Sequence, residues 1–303
     1  MSSAFQRPRS VLYWGVSEKS PALSHSAKNQ RLPLCKGRMF GMLIDRARAA
    51  RAFATYVRPY NSADPKVALK ISHTYRVAAL CERIARSLAL PPQEADLAWL
   101  CGLLHDVGRF EQLRRFGTFN DAQSIDHAAA GADVLFEQGR VREYLDDGSE
   151  DALLRTAVAW HSAYRLPPDL DARTRRFCAI LRDADKVDIL RVNVETPMED
   201  IYGVTTRALR RSPVSPAVLE AFYAHHAVLR SLKQYPADHA VGHASLVFEL
   251  EYPESLRAVR EQGYLFRLLD FPTDLPETAR IFAALREHMR AWLDGQAEYS
   301  GRF

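Results

Sequence analysis

Apolar residues recur at three- and four-residue intervals along most of the chain from residue 39 onward. This spacing gathers apolar side chains on one face of an α-helix, so the pattern predicts helices. We find no pair of alternating segments joined by hairpin turn residues, and no repeat of fixed period. The sequence therefore predicts an all-α fold. Its predicted helices cover residues 39–58, 64–90, 94–108, 125–138, 150–163, 172–192, 199–211, 214–234, 237–250, 254–269 and 275–296.

Capping residues indicate where several of these helices begin. Asp64 is followed by Pro65, which suits a helix start because the ring has no amide hydrogen to leave unpaired. Asp171 and Ser124 are further candidate caps. Between two predicted helices, residues 109–123 are rich in arginine and phenylalanine, and we expect a loop there.

The basic charge of the chain is concentrated in its first 38 residues. The formal charge is +4, but residues 1–38 carry seven Lys or Arg and one acid, which leaves the rest at −2. This segment also holds seven serines and no helical period, so we expect a disordered basic tail. A targeting segment, or a translation start at Met39 or Met42, are the alternatives. A nearly neutral body argues against nucleic-acid binding.

Two further compositional features bear on the setting of the protein. No stretch reaches the 18 or so apolar residues that a membrane span requires, so we expect no membrane contact. The cysteines are few and scattered, which is typical of reduced thiols in a cytoplasmic protein. They are Cys35, Cys81, Cys101 and Cys178.

Four of the ten histidines stand in helical, apolar surroundings with carboxylates nearby. Asp106 directly follows one of them at the end of the most apolar predicted helix, where buried polar groups need partners. Imidazole and carboxylate are the ligands that Zn, Mn, Fe and Mg prefer in proteins. The segment RDADKVD supplies Asp183, Asp185 and Asp188. The four histidines are His73, His105, His127 and His161.

The order of these residues resembles the HD superfamily of metal-dependent phosphohydrolases, over roughly residues 60–195. The matching motifs are HxxR at 73–76, HDxGR at 105–109 and DADK at 183–186. The resemblance implies a helical HD bundle as residues 39–195, with residues 196–303 as additional C-terminal helices packed on it. It assigns a first metal ion to His73, His105, Asp106 and Asp185. A second ion would be held by His127 and His161, with Asp106 bridging. Asp183 and Asp188 are alternatives to Asp185, which we prefer because Lys186 follows it.

This resemblance implies hydrolysis of a phosphate ester by a metal-activated water. The substrate would be small: a nucleotide, a cyclic nucleotide or another phosphomonoester or diester. The cofactor would be one or two divalent ions, with Mn, Mg, Fe, Co, Ni and Zn all open. Catalytic roles fall to Asp106, Arg109 and Lys186. The expected phosphate contacts are Arg76, Arg109, Arg114, Arg115 and Lys186.

Two other functions use the same residues. HD-fold di-iron oxygenases have the same six ligands, and an HD protein can bind a nucleotide for regulation without hydrolysing it. We prefer hydrolysis because the likeness to the oxygenases stops at the ligands, and because a binding module would have no need for the intact set. A homo-oligomer remains open.

Overall fold

The computed structural model describes residues 44–300, and every regular element in that range is helical, so the all-α prediction is confirmed. The basic tail predicted for residues 1–38 lies outside the described residues. The helices are α1 (Arg46–Val57), α2 (Pro65–Ser87), α3 (Pro92–Leu104), α4 (Val107–Phe116), α5 (His127–Ala132), α6 (Asp151–Trp160), α7 (Ala172–Glu195), α8 (Met198–Tyr202), α9 (Thr206–Arg210), α10 (Pro216–Tyr223), α11 (Pro236–Ala244), α12 (Pro253–Gln262), α13 (Tyr264–Leu269) and α14 (Pro276–Ser300).

The two longest helices that form the site begin at predicted caps. The Asp64 carboxylate accepts a hydrogen bond from the backbone N–H of Lys66, and Pro65 is the first residue of α2. Asp171 caps α7 in the same way, accepting from the N–H groups of Arg173 and Thr174. These caps satisfy amide hydrogens that have no carbonyl partner within the first turn of a helix.

The loop predicted at residues 109–123 is wrong over its first half. Residues up to Phe116 form α4, which ends at Gly117 in the left-handed conformation at φ 67°. The arginines suggested solvent exposure, but Arg109 and Phe110 are both buried. The cap predicted at Ser124 is also wrong, because α5 begins at His127 with Asp126 as its cap.

Two long helices predicted near the C-terminus are interrupted. The 214–234 segment is helical only to Tyr223, and His225 has a positive φ of 58°. The 254–269 segment divides at Gly263, whose φ is 69°. A left-handed residue ends a helix because it turns the following carbonyl and amide groups away from the helix axis.

Helix α7 lies at the centre of the molecule. It packs against α2, α3 and α6 and also against α11, α12 and α13. Buried apolar side chains from the whole described range form one continuous cluster, from Phe53 through Phe177 to Leu285. The C-terminal helices therefore share a core with the helices that carry the predicted ligands.

None of the helices in the described range has both the length and the apolar character that crossing a membrane requires.

Candidate metal centre

The six predicted ligands converge on one buried centre from five elements. His73 lies in the middle of α2, and Asp185 lies in the middle of α7. His105 and Asp106 form the sharp junction between α3 and α4. The remaining two stand at helix ends, His127 opening α5 and His161 following α6. All four histidines and Asp106 are less than 5% exposed.

The first group of ligand atoms surrounds the Nε2 atom of His73. That atom lies 3.3 Å from Nε2 of His105 and 3.1 Å from Oδ1 of Asp185. Asp106 completes the group through Oδ2, which is 3.3 Å from Nε2 of His105 and 3.6 Å from Nε2 of His73. Each of the two carboxylates thus lies within 4 Å of both Nε2 atoms.

The second group uses the other oxygen of Asp106. Its Oδ1 lies 3.6 Å from Nε2 of His127 and 3.8 Å from Nε2 of His161. The two Nε2 atoms are 3.0 Å apart. Ligands that bind one ion at about 2.1 Å are themselves roughly 3–3.5 Å apart. The spacing and the donor types therefore fit one divalent ion among His73, His105 and Asp106 and another among Asp106, His127 and His161, with Asp106 common to both.

Each histidine is oriented by a hydrogen bond at its other ring nitrogen. The Nδ1–H groups of His105 and His161 each donate to a backbone carbonyl one turn earlier, at 2.7 Å. Nδ1 of His127 lies 2.7 Å from the carboxylate of Asp121. Such bonds fix the ring tautomer so that Nε2 presents its lone pair to the centre.

Asp188 performs the same role for His73, with its Oδ2 at 2.7 Å from Nδ1. It also accepts hydrogen bonds from Arg76 and Arg191, at 2.8–2.9 Å. Burial alone would raise its pKa, but Arg191 and His73 lower it below the ordinary value. This alternative ligand therefore lies on the outer side of His73, facing away from the group of Nε2 atoms.

The other alternative, Asp183, faces the C-terminal helices. Its carboxylate accepts from the backbone N–H groups of Glu251 and Tyr252 and from the Ser255 hydroxyl. Burial raises its pKa to about 6. Of the three acids in RDADKVD, only Asp185 has an oxygen among the Nε2 atoms.

Lys70 belongs to the centre, although it was not among the residues predicted from the sequence. Its ammonium is buried and contacts Oδ2 of Asp106. Burial lowers the pKa of Lys70 to about 8, against the opposing effect of Asp106. Burial would raise the pKa of Asp106, but the charges of Lys70 and His105 hold it well below its usual value. The sequence feature that could have identified Lys70 is its position one turn before His73 on α2.

A small cavity of about 30 Å³ opens beside the ligands. Arg182 and Lys186 line it, and in the described part of the chain no carboxylate lies within ion-pair distance of either cation. Arg182 donates to the backbone carbonyl of Ala163, and Lys186 donates to that of Glu249 at 2.9 Å. Burial, and then Arg182, lower the pKa of Lys186 to about 8. The full lining comprises Asp106, Arg109, His127, His161, Ser162, Ala163, Arg182, Asp185, Lys186, Ile189 and Leu246.

The remaining predicted phosphate contacts lie at different depths. Arg109 lines the cavity but is bound to Asp121 at 2.6 Å. Arg114 and Arg115 are exposed on α4, the former paired with Glu111. Arg76 is paired with Asp188 and half-exposed. None of these last three arginines lines the cavity, whereas Arg182, which was not predicted, does.

Comparison with known proteins adds one finding. Residues 71–190 match the family model of the HD domain. Neither the curated proteins nor the solved structures gave a match to the chain.

Proposed function

The chain belongs to the HD superfamily, with its HD domain at residues 71–190, and on that basis we propose that it is a metal-dependent phosphohydrolase. The observation that carries this proposal is the pair of buried cations, Arg182 and Lys186, which face the ligand groups without carboxylate partners. Buried charge is unfavourable unless it is paired. A phosphoryl group in the cavity would supply the missing negative charge.

We assign the first divalent ion to His73, His105, Asp106 and Asp185, and the second to Asp106, His127 and His161. When bound, such ions supply an activated water and neutralise charge on the phosphoryl oxygens. Asp106 serves both groups because each of its oxygens faces a different pair of histidines. Lys70 holds this carboxylate in place from the α2 side.

The other side chains of the cavity bind and orient the phosphate ester. Arg182 and Lys186 lie four residues apart on α7, so both present donors to the same cavity. Arg109 adds positive charge and fixes Asp121, which in turn orients His127. We therefore assign phosphate binding to Arg109, Arg182 and Lys186. Arg76, Arg114 and Arg115 do not line the cavity.

The first test replaces Asp106 by Ala and measures phosphate release from nucleotides, cyclic nucleotides and simple phosphate esters with several divalent metals. We expect a loss of roughly 10³-fold, because several kcal/mol of transition-state stabilisation depend on the metal site. Asp274→Ala is the control, since Asp274 is exposed and forms its ion pair with Arg210. Full activity in Asp106→Ala would refute the assignment.

Metal content gives a second readout that does not depend on the substrate. We expect Asp106→Ala to lose both ions, whereas His127→Ala should lose only the second. Two bound irons with oxygen uptake, and no phosphate release from any ester, would instead support the oxygenase function.

A further inference from the structure

Two histidines outside the metal centre bring their ring nitrogens together among the C-terminal helices. His225 follows the end of α10, and His288 lies 63 residues later along the chain, in α14. Their Nε2 atoms are 2.8 Å apart. The two pairs of histidines in the metal centre have Nε2 atoms 3.0 Å and 3.3 Å apart. The His225–His288 pair therefore has nearly the same arrangement as the predicted metal ligands.

Aromatic side chains hold both rings in this orientation. The centroid of the His225 ring lies 4.9 Å from that of Phe248 and 6.0 Å from that of Trp292. The His288 ring packs edge-on against Tyr223, with 4.9 Å between centroids. In the part of the chain that the structure describes, the hydrogen bonding of the two rings is limited to the contact between them. Each Nδ1 can therefore carry the ring hydrogen, which leaves a lone pair on each Nε2.

The backbone at His225 is an independent observation. Its φ is 58°, in the left-handed region, two residues after α10 ends. Glycine is the usual residue at such a helix end, because it has no Cβ atom to oppose this conformation. The chain thus has an imidazole at a position where the backbone favours glycine. A role for the side chain itself accounts for this choice.

An ion from solvent can reach the pair. His225 is exposed and His288 is half-buried. Ligands of one ion are roughly 3–3.5 Å apart, so a small rotation of the His288 side chain admits an ion between the two Nε2 atoms. Water molecules would complete its coordination from the exposed side. Imidazole suits Zn, Cu and Ni, whereas Mg and Ca prefer oxygen ligands.

We propose that His225 and His288 bind a divalent transition-metal ion, in addition to any held by the metal centre, and that this ion links α14 to the end of α10. The two ligands come from distant parts of the sequence, so they are held together in the folded chain. Binding therefore stabilises the fold of the C-terminal helices. Neither residue belongs to the six predicted ligands or lines the cavity, so the inference does not depend on the proposed hydrolysis.

The test measures the Zn²⁺ bound per full-length chain by equilibrium dialysis. His288→Gln keeps a polar side chain and removes the imidazole, and we expect it to bind one ion fewer than the wild type. His226→Gln is the matched control, because His226 is an exposed histidine next to His225 whose Nδ1 lies 3.9 Å from Oε1 of Glu249. It should bind as many ions as the wild type. With Mg²⁺ in place of Zn²⁺, the three proteins should not differ.

His225→Gly provides a second variant, read out by thermal melting with and without Zn²⁺. Glycine relieves the left-handed backbone, which offsets the lost ring contacts, so we expect the metal-free variant to melt close to the metal-free wild type. Zn²⁺ should then raise the melting temperature of the variant less than that of the wild type, because an ion bound only by the folded chain stabilises it.

The outcomes also separate this inference from the proposed function. Equal Zn²⁺ content in wild type and His288→Gln would overturn the site and leave the pair as a hydrogen bond between two imidazoles. Loss of one ion from both His288→Gln and His226→Gln would overturn it too, because it would show nonspecific binding by exposed histidines. An ion that remains in Asp106→Ala and is lost when His288→Gln is added belongs to the pair, whichever esters the wild type hydrolyses.

Discussion

At the scale of single residues, Lys233 gives the protein a measurable pH dependence. Its pKa is about 8 in the folded chain, below the ordinary 10.5, because of burial and Arg230, with Asp238 opposing and His239 also facing it. Between these values the unfolded chain binds more protons, so stability rises with pH. We expect the unfolding free energy of the wild type, measured by urea titration, to increase relative to that of Lys233→Met between pH 8 and pH 10. A difference that stays constant with pH would contradict this.

Single residues also show how much of the candidate site could be predicted from the sequence alone. The six predicted ligands are titratable residues in a recognisable order, and the structure places all of them around one centre. Lys70 and Arg182 could not be predicted in the same way, because a lysine or arginine on a helix is normally solvated. Their burial follows only from the packing of α2 and α7 against other elements.

At the scale of elements, the contact of α2 with α3 depends on Gly102. A Cβ atom there would lie 2.5 Å from Cα of Ala78 on α2. We expect Gly102→Ala to destabilise the protein by about 1–3 kcal/mol or more, because the two backbones must separate. Equilibrium unfolding in urea measures the change.

Gly295 provides the matched control for this substitution. It lies within α14, and a Cβ atom there would meet nothing within 4 Å. Gly295→Ala should stabilise the protein by about 0.5–1 kcal/mol, because alanine is the better helix former. Equal effects of the two substitutions would show that helix propensity, rather than packing of α2 on α3, decides the outcome at residue 102.

Element boundaries were the weakest part of the sequence prediction, and α4 shows why. Its arginines and phenylalanines are typical of a loop. The burial of Arg109 and its ion pair with Asp121 cannot be inferred from the neighbouring residues in the sequence. The caps at Asp64 and Asp171 were predictable because a cap is a short-range hydrogen bond within three residues.

At the scale of the whole molecule, the shared core predicts cooperative unfolding. Buried side chains of the proposed HD core, residues 39–195, and of the C-terminal extension, residues 196–303, belong to one cluster. We therefore expect a single transition in calorimetry, with coincident midpoints by circular dichroism and tryptophan fluorescence. Two separated transitions would show that the extension folds independently.

The central position of α7 has a further consequence for motion. Most of its side chains are buried, with other helices packed against it, so its amides can meet solvent only when the shared core opens. Hydrogen exchange should therefore be slowest along α7. Asp185, Arg182 and Lys186 all stand on this helix, whereas Leu246 comes from a short 3₁₀ turn. The side of the cavity that α7 forms should therefore be the last to become accessible to solvent.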